Sequence, residues 1–322
     1  MIAGMRYRTL GDSGLLVSVV GLGCNNFGGR LDVARTAAVV DAAIDEGITL
    51  LDTAETYGGK GASELALGEV LQGRRDKVVL ASKFGHQGAD MGYGPAAGAK
   101  GGRNYIKLAV EKSLTRLKTD YIDLYQLHTP DPVTPIDETL DALDDLVTEG
   151  KVRYLGHSNF SGWQIADAAH AAASRGRTPF ISAQNHWSLL ERAAEREVVP
   201  AACHFGVGLL PYFPLANGLL TGKVRKGQQV PANSRLAEPR RDGYVTDAKL
   251  DRVESLIAWG EEQGVSILEI AIGGLAALPG CSSVIAGATS PEQVKANAAA
   301  GEWKPSAGQL AEIDKLVPPP AD

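Results

Sequence analysis

The sequence predicts an α/β fold, a (β/α)8 TIM barrel in which a helix follows each strand of a closed parallel sheet. Short apolar runs alternate with stretches of helical periodicity along the 322 residues. Such alternation is typical of parallel sheets, and eight strand-helix units in this length favour a barrel over an open, doubly wound sheet. The alternation resumes after each long loop, so we expect one domain over 1–322.

The strands and loops can be placed in order along the chain. Segment 6–16, YRTLGDSGLLV, indicates an N-terminal β-hairpin ahead of the barrel. Two glycine-rich or polar stretches, 85–103 and 217–246, are predicted to be additional loops on the catalytic face. Neither is predicted to be a domain linker, because strand and helix patterns resume directly after each. Apolar runs predict barrel strands near 17–22, 48–52, 77–83, 121–127, 152–157, 180–184, 207–212 and 283–286.

Helical spacing of apolar residues separates these strands. Two helix starts carry a further signal, because Ser161 with Gln164 and Ser290 with Gln293 fit the pattern of a capping box. Helices are predicted near 33–46, 62–72, 104–117, 136–149, 162–174, 190–204, 248–262 and 291–300, with an additional helix at 266–278.

Composition narrows the class of protein. The net charge is -6 and no segment is dominated by Lys and Arg, which argues against nucleic-acid or membrane partners. Cys24, Cys203 and Cys281 are an odd number without CxxC spacing, as expected in a reducing compartment. The apolar run LLVSVVGLG is far shorter than the roughly 20 residues that span a bilayer. We therefore expect a cytoplasmic protein.

Motifs of several chemistries are missing from the sequence. GLGCNNFG at 21–28 lacks the GxGxxG spacing of a dinucleotide-binding turn, and no P-loop, HExxH, EF-hand or GxSxG occurs. The six histidines show no ligand spacing on one helix face. The sequence therefore favours neither a metal site nor an acyl-enzyme mechanism.

Three predicted strands end in a titratable residue. LLD ends at Asp52, VVLASK at Lys83 and LYQLH at His128, and Tyr57 follows Asp52 by five residues. Because parallel strands of a barrel open onto one face at their carboxyl ends, we expect these side chains to converge. Taken singly, Asp52 could be a helix or turn cap, Lys83 a surface charge and His128 a hydrogen-bonded strand-end residue. Tyr57 could be a half-buried aromatic. Together they favour a site that protonates a carbonyl oxygen.

The proposed proton donor is a phenol. A free phenol has a pKa of about 10, so easy proton release near pH 7 requires about 4 kcal/mol of assistance. An ammonium about 4 Å away supplies on the order of 4 kcal/mol at an effective dielectric near 20, which assigns that task to Lys83. Asp52 would keep a buried Lys83 charged, and His128, as a neutral imidazole, would orient the carbonyl oxygen or share in proton transfer.

Five segments resemble the aldo-keto reductase superfamily, namely GITLLDTAETYGGKGASELALGEVL, KVVLASKFG, DYIDLYQLHTPDP, GKVRYLGHSNFS and GLLTGK. The resemblance runs from about residue 6 to 300 and is strongest to the branch with voltage-gated potassium channel beta subunits and bacterial oxidoreductases. It implies a (β/α)8 barrel that reduces carbonyls with a nicotinamide cofactor and no metal. The family's catalytic tetrad falls on Asp52, Tyr57, Lys83 and His128.

The resemblance also implies a cofactor site. Ser158, Asn159 and Gln184 would hold the nicotinamide carboxamide, and Tyr212 would stack on the nicotinamide ring, although core packing is the alternative for that aromatic. The loop PLANGLLTGK would bind the pyrophosphate with backbone donors and a cation, although the lysine could simply be solvated. The positions that the family pattern selects in this loop are Pro214, Leu215, Gly218 and Lys223.

The last strand-helix unit, IAGATSPEQVKAN, is implied to bind the adenosine end of NADP(H). Gly287 lies at its strand end, and Ser290 and Gln293 lie at a helix N-terminus, which favours an anion such as a 2′-phosphate. The alternative is that these two side chains only cap the helix. Asn297 would meet adenine. Ala288 and Thr289 occupy a stretch where many relatives carry a Lys or Arg for the 2′-phosphate.

The expected function follows from these assignments. We expect an NADPH-dependent enzyme that reduces small-molecule aldehydes or ketones to alcohols, with Asn25, Tyr57 and His128 lining the substrate pocket. Cys24 and Asn25 stand where relatives place a threonine or methionine and a large aromatic, so the pocket would be roomier or more polar. The alternatives are an NADP(H)-binding, redox-sensing regulatory subunit with little turnover, or a scaffold. The sequence indicates neither the physiological substrate nor the oligomeric state.

Overall fold

The computed structural model describes residues 4–232, 234–238 and 243–320, and it confirms the predicted N-terminal hairpin. Strands β1 (Tyr7–Thr9) and β2 (Leu16–Ser18) pair antiparallel, with Arg8 opposite Val17. The hairpin takes residues that the sequence assigned to the first barrel strand, and that strand begins only at Val20.

The predicted (β/α)8 barrel is confirmed. Eight parallel strands form one sheet in the order β10-β3-β4-β5-β6-β7-β8-β9. They are β3 (Val20–Gly23), β4 (Leu50–Asp52), β5 (Val79–Phe84), β6 (Ile122–Leu127), β7 (Val152–Ser158), β8 (Phe180–Gln184), β9 (Gly208–Leu209) and β10 (Val284–Gly287).

The sheet closes between β9 and β10. The sequence predicts a seventh barrel strand over 207–212. The corresponding strand, β9, has only two residues, and the pairing with the β10 side consists of isolated bridges from Leu209 to Cys281 and from Tyr212 to Ile285. Pro211 interrupts the strand because it has no N–H to donate. Its carbonyl still accepts a hydrogen bond from the Ile285 N–H at 3.0 Å, which helps to close the barrel.

Helices cover the outside of the sheet. The predicted helix 190–204 begins later, at Ala194, because residues 188–191 form a tight turn with an isolated bridge. The sequence analysis missed α10, although Ser306 and Gln309 form a capping box at its start. The helices are α1 (Val33–Asp45), α2 (Ala62–Val70), α3 (Arg103–Leu117), α4 (Ile136–Thr148), α5 (Gly162–Arg175), α6 (Ala194–His204), α7 (Asp247–Gln263), α8 (Ile267–Glu269), which continues as a π-helical turn (Ile270–Gly274), α9 (Pro291–Ala300) and α10 (Ala307–Leu316).

The barrel interior is filled from its amino-terminal end. Leu10 and Val17 of the hairpin pack with side chains of the barrel strands, among them Leu50, Leu124 and Ile285, and form a separate buried cluster. Burial of such apolar side chains stabilises the fold by about 1.5–3 kcal/mol each. Because the hairpin covers this end, the carboxyl ends of the strands form the open face.

The two predicted loops contain short 3-10 turns. Residues Pro95–Ala97 form one such turn in 85–103, and Ala216–Thr221 and Arg235–Ala237 form two more at the start and in the middle of the second loop. Residues 233 and 239–242 of the predicted loop 217–246 lie outside the described part of the chain.

A buried histidine provides a prediction about acid stability. His157 in β7 stacks on Phe160 at 4.3 Å, and its Nδ1 has no hydrogen-bond partner among the described residues. Burial lowers the pKa of His157 from 6.5 to about 3. Below about pH 6.5 the unfolded chain therefore binds a proton that the folded chain excludes. The free energy of unfolding thus decreases as the pH is lowered, by about 2 kcal/mol at pH 5 relative to neutral pH.

Replacing His157 with leucine should flatten this part of the stability profile. We would measure denaturant unfolding between about pH 7 and 5 for the wild type, His157→Leu and His170→Gln, which alters an exposed histidine as a control. Equal pH dependence in His157→Leu and the wild type would show that His157 does not govern acid stability.

Candidate active site

The open face of the barrel brings together the three strand-end residues and the loop tyrosine that were selected from the sequence. Asp52 ends β4, Lys83 lies near the end of β5, His128 follows β6, and Tyr57 lies in the loop after β4. The Lys83 Nζ donates to Asp52 Oδ2 at 2.6 Å and lies 3.2 Å from the Tyr57 hydroxyl. Phenol, ammonium and carboxylate therefore form one hydrogen-bonded row.

Lys83 is fully buried but completely paired. Its Nζ also donates to the carbonyl oxygen of Thr53 at 2.9 Å, so each of its three N–H groups has a partner. Burial acts to lower the pKa of Lys83, but Asp52 and Tyr57 outweigh it and raise the pKa above its usual value. Lys83 is therefore a cation at neutral pH.

The acidity of Tyr57 differs from the expectation based on charge alone. Burial raises the pKa of Tyr57 above 10, and the nearby Lys83 ammonium offsets only part of that effect. The phenol is therefore protonated at neutral pH, as a general acid must be. Lys83 can still assist by stabilising the phenolate at the moment when the proton leaves.

Two glutamines complete the surroundings of Asp52. Its Oδ1 accepts from Gln184 Nε2 at 2.9 Å and from Gln126 Nε2 at 3.2 Å. The sequence analysis missed Gln126, although a polar residue inside the apolar run LYQLH is a usable signal. In the structure Gln126 is fully buried opposite Lys83 in the strand register. The Gln184 amide nitrogen is thus held by Asp52, which leaves its carbonyl oxygen for the predicted contact with a nicotinamide carboxamide.

His128 is a neutral imidazole at the edge of this row. Its ring lies edge-on to Tyr57, with centroids 5.8 Å apart, and its Nδ1 has no hydrogen-bond partner in the described part of the chain. Burial, followed by the charge of Lys83 and the neighbouring His86, places the pKa of His128 well below 6.5. His86, with its ring centroid 4.7 Å from that of His128, was missed because it lies in a glycine-rich loop.

All four predicted nicotinamide contacts lie on one hydrogen-bonded rim. Asn159 donates from Nδ2 to the carbonyl oxygen of His128 at 2.9 Å, and its Oδ1 accepts from the Tyr212 hydroxyl at 2.9 Å. Ser158 Oγ donates to the carbonyl oxygen of Gln184 at 2.7 Å. The rim therefore joins the ends of β6, β7 and β8 to Tyr212, which follows β9.

The predicted pyrophosphate loop follows directly. Pro214 and Leu215 precede its 3-10 turn, and Lys223 is exposed at its end. The Gly218 N–H, a predicted donor, is already bonded to the carbonyl oxygen of Leu215 at 2.8 Å, so it does not point to a ligand. Asn217 is 7% exposed, and neither its Nδ2 nor its Oδ1 has a partner among the described residues. Such an orphaned amide fits a ligand with both donors and acceptors.

The last strand-helix unit has only half of the predicted capping box. Ser290 Oγ accepts from the Gln293 N–H at 3.4 Å, but Gln293 Oε1 accepts from the Thr289 N–H at 2.8 Å instead of returning to Ser290. Gly287 ends β10, and Asn297 is buried on α9 one turn further along.

Arg235 crosses from the second long loop to the end of β3. Its Nη2 donates to Asn25 Oδ1 at 3.3 Å and to Asn26 Oδ1 at 3.1 Å, and Asn26 Nδ2 reaches the carbonyl oxygen of Ala288 at 3.4 Å. Asn25, predicted to line the substrate pocket, is therefore held by an arginine. Sequence reasoning missed Arg235 because the position of a loop cation depends on the fold of the whole loop.

The described residues contain neither a membrane-spanning helix nor a cluster of metal ligands. No helix there combines the length and apolarity needed to cross a bilayer. In the same part of the chain, no group of three or more His, Cys, Asp or Glu side chains is arranged to hold a metal ion.

The family match and the oxidoreductase relatives of the chain identify the class of this protein, a carbonyl-reducing oxidoreductase. The chain belongs to the aldo/keto reductase family, whose model matches residues 19–318.

Full-length relatives support this assignment. The uncharacterized oxidoreductase YrpG of Bacillus subtilis (strain 168) is 38% identical over 297 residues, which cover 90% of this chain and 89% of the relative. A probable voltage-gated potassium channel subunit beta of Arabidopsis thaliana is 34% identical over 303 residues, 91% and 90% of the two chains. The aldo-keto reductase YhdN of Bacillus subtilis (strain 168) is 33% identical over 326 residues, 97% and 94% of the two chains.

Proposed function

We propose that this protein is a cytoplasmic enzyme that reduces aldehydes and ketones to alcohols with NADPH, using Tyr57 as the general acid. The observation that carries the proposal is the contact of the Lys83 Nζ with both Asp52 Oδ2 and the Tyr57 hydroxyl. A buried ammonium beside a protonated phenol lowers the cost of releasing the phenolic proton to a substrate oxygen.

Each residue of the site has a separate role in the proton transfer. When bound, NADPH would supply a hydride to the carbonyl carbon. As the carbonyl electron pair moves to oxygen, Tyr57 donates its proton to that oxygen, and Lys83 stabilises the phenolate. Asp52 keeps Lys83 charged, while neutral His128 orients the carbonyl oxygen. Solvent then returns a proton to Tyr57, which completes the proton balance.

The cofactor would lie along the rim and loops of the open face. The nicotinamide carboxamide would be held by Ser158, Asn159 and the side-chain amide oxygen of Gln184. Tyr212 would stack on the nicotinamide ring. The unpaired Asn217 amide supports a polar ligand beside the loop that contains Lys223. Gly287, Ser290, Gln293 and Asn297 would bind the adenosine phosphate end.

A regulatory role is the second candidate. It is favoured by two relatives that are named as probable potassium channel beta subunits, at 34% and 35% identity. Such a subunit would bind NADP(H) and respond to its redox state with little turnover.

Turnover assays with a panel of aldehydes, ketones and sugars, with and without cofactor, separate the two roles. Saturable turnover that requires NADPH supports the enzyme, whereas cofactor binding without turnover supports the regulatory subunit.

We expect NADPH to bind more tightly than NADH by about 1 to 3 kcal/mol, the range for hydrogen bonds to a charged group. Because Ser290 and Gln293 lie at the N-terminus of α9, replacing both by alanine should remove most of this difference and leave NADH binding nearly unchanged. Cofactor fluorescence titration measures both affinities. The matched control replaces Ser306 and Gln309, the capping box of α10. Equal affinities in the wild type would refute the phosphate assignment.

A further inference from the structure

A second buried carboxylate lies beside the proposed tetrad. Glu55 is fully buried, and its Oε1 accepts from the Gly85 N–H at 2.8 Å and from the Tyr105 hydroxyl at 2.9 Å. Its Oε2 accepts from the Tyr93 hydroxyl at 3.1 Å. These three donors are neutral, and burial raises the pKa of Glu55. Burying a carboxylate without a cationic partner costs several kcal/mol, so stability alone does not explain an acid at this position.

The contacts of Glu55 join the segments that carry Tyr57 and Lys83. Glu55 precedes Tyr57 by two residues, and its backbone N–H donates to the carbonyl oxygen of Lys83 at 3.0 Å. Its side chain binds Gly85, which follows Lys83 by two residues. The loop that carries the phenol is therefore attached twice to the strand end that carries the ammonium.

The same carboxylate is fixed from the outside of the barrel. Tyr105 belongs to α3, and Tyr93 belongs to the long loop 85–103. Gly85, a third donor, has a φ of +76° and directly precedes His86, whose ring lies against His128. A single side chain thus connects the phenol loop, the end of β5, α3 and the loop that places His86.

We propose that Glu55 is a positioning residue that holds the Tyr57 hydroxyl within hydrogen-bond distance of the Lys83 Nζ. It does not contact the reacting atoms, and it acts by fixing the loop of Tyr57 against the end of β5. Its effect on hydride transfer rests on the proposed function, whereas its effect on the 3.2 Å contact between Tyr57 and Lys83 does not.

The test combines a structural and a kinetic measurement on Glu55→Ala. A crystal structure of the variant should show the Tyr57 hydroxyl outside hydrogen-bond distance of the Lys83 Nζ. Single-turnover oxidation of bound NADPH by an aldehyde should slow by about 10- to 100-fold, as expected for a misplaced catalytic group, while NADPH affinity stays unchanged. Glu55→Gln should recover a rate within about threefold of wild type, because its amide oxygen can still accept from Gly85 and Tyr105.

Glu64 provides the matched control. It is also a fully buried carboxylate beside β5, and it accepts from Ser82 Oγ at 2.5 Å and from Arg116 Nε at 2.7 Å. Neither partner lies in the loop of Tyr57, although Arg116 also bonds to Tyr93. Glu64→Ala should lower the melting temperature while folded molecules keep the wild-type single-turnover rate. An equal rate loss in Glu64→Ala would overturn the proposal, because it would indicate general destabilisation.

Other outcomes are equally decisive. An intact Tyr57–Lys83 contact in Glu55→Ala overturns the proposal, even if the wild type reduces no carbonyl and the proposed function itself fails. If Glu55→Ala does not fold, Tyr93→Phe and Tyr105→Phe each delete one donor to the same carboxylate. Each should slow single turnover by about fivefold, the equivalent of one hydrogen bond, and wild-type rates and geometry in both would overturn the positioning role.

Discussion

Tyr57→Phe should lower the rate of the chemical step by about 100- to 10,000-fold, the usual contribution of general acid catalysis. Phenylalanine keeps the ring that lies edge-on to His128 but deletes the hydroxyl that contacts the Lys83 Nζ. Hydride transfer builds negative charge on the carbonyl oxygen, and the general acid proposed to neutralise that charge would be missing. The proposed cofactor contacts are unchanged, so NADPH affinity should remain close to that of the wild type.

The measurement pairs NADPH fluorescence titration with single-turnover oxidation of bound NADPH by an aldehyde. Tyr7→Phe serves as the control, because the Tyr7 hydroxyl donates to the carbonyl oxygen of Gly47 on the hairpin side of the barrel. If Tyr57→Phe reduces aldehydes at the wild-type rate, another residue is the acid. If the wild type oxidises no bound cofactor with any carbonyl, the regulatory role is favoured.

The strand-end rule explains why much of the site could be predicted. The direction of a parallel strand fixes the face on which its carboxyl end opens, so Asp52, Lys83 and His128 could be placed together from local patterns alone. Tyr57 required only that its loop follow β4. The length of β9 was less predictable. Pro211 lacks the N–H that would continue the hydrogen-bond ladder, and this loss matters at the point where the barrel closes.

Contacts that depend on packing could not be predicted. Whether Gln184 turns toward Asp52 or toward a ligand depends on side-chain geometry across three strands. Arg235 is distant in sequence from Asn25, and only the path of the second long loop brings the two side chains together. A sequence pattern contains no information on either contact.

The pKa of Tyr57 also depends on packing that could not be predicted from the sequence. A charge-to-charge argument from the sequence expects Lys83 to favour the phenolate, and the structure retains that effect. The sequence does not show how deeply the phenol is buried, and burial determines the sign of the net change in pKa. The ammonium therefore contributes during proton transfer rather than by ionising Tyr57 beforehand.

Lys83→Met should cost more turnover than Lys83→Arg and should also destabilise the fold. Methionine removes the charge that stabilises the departing phenolate, whereas arginine keeps a cation but overfills a fully buried position. Losing one partner of a buried ion pair typically costs about 3–5 kcal/mol. Asp52 would keep its two bonds from Gln126 and Gln184, so we expect a loss near the lower end, about 3 kcal/mol.

Thermal melts and single-turnover rates would be measured side by side for both variants and for the double variant Asp52→Asn with Lys83→Met. Because the double variant removes the unpaired carboxylate as well, it should be more stable than Lys83→Met alone while remaining slow. A Lys83→Met protein with near wild-type turnover would exclude Lys83 from the mechanism. Equal stability of the single and double variants would show that Asp52 does not need the ammonium, since its amide partners would then suffice to stabilise the buried charge.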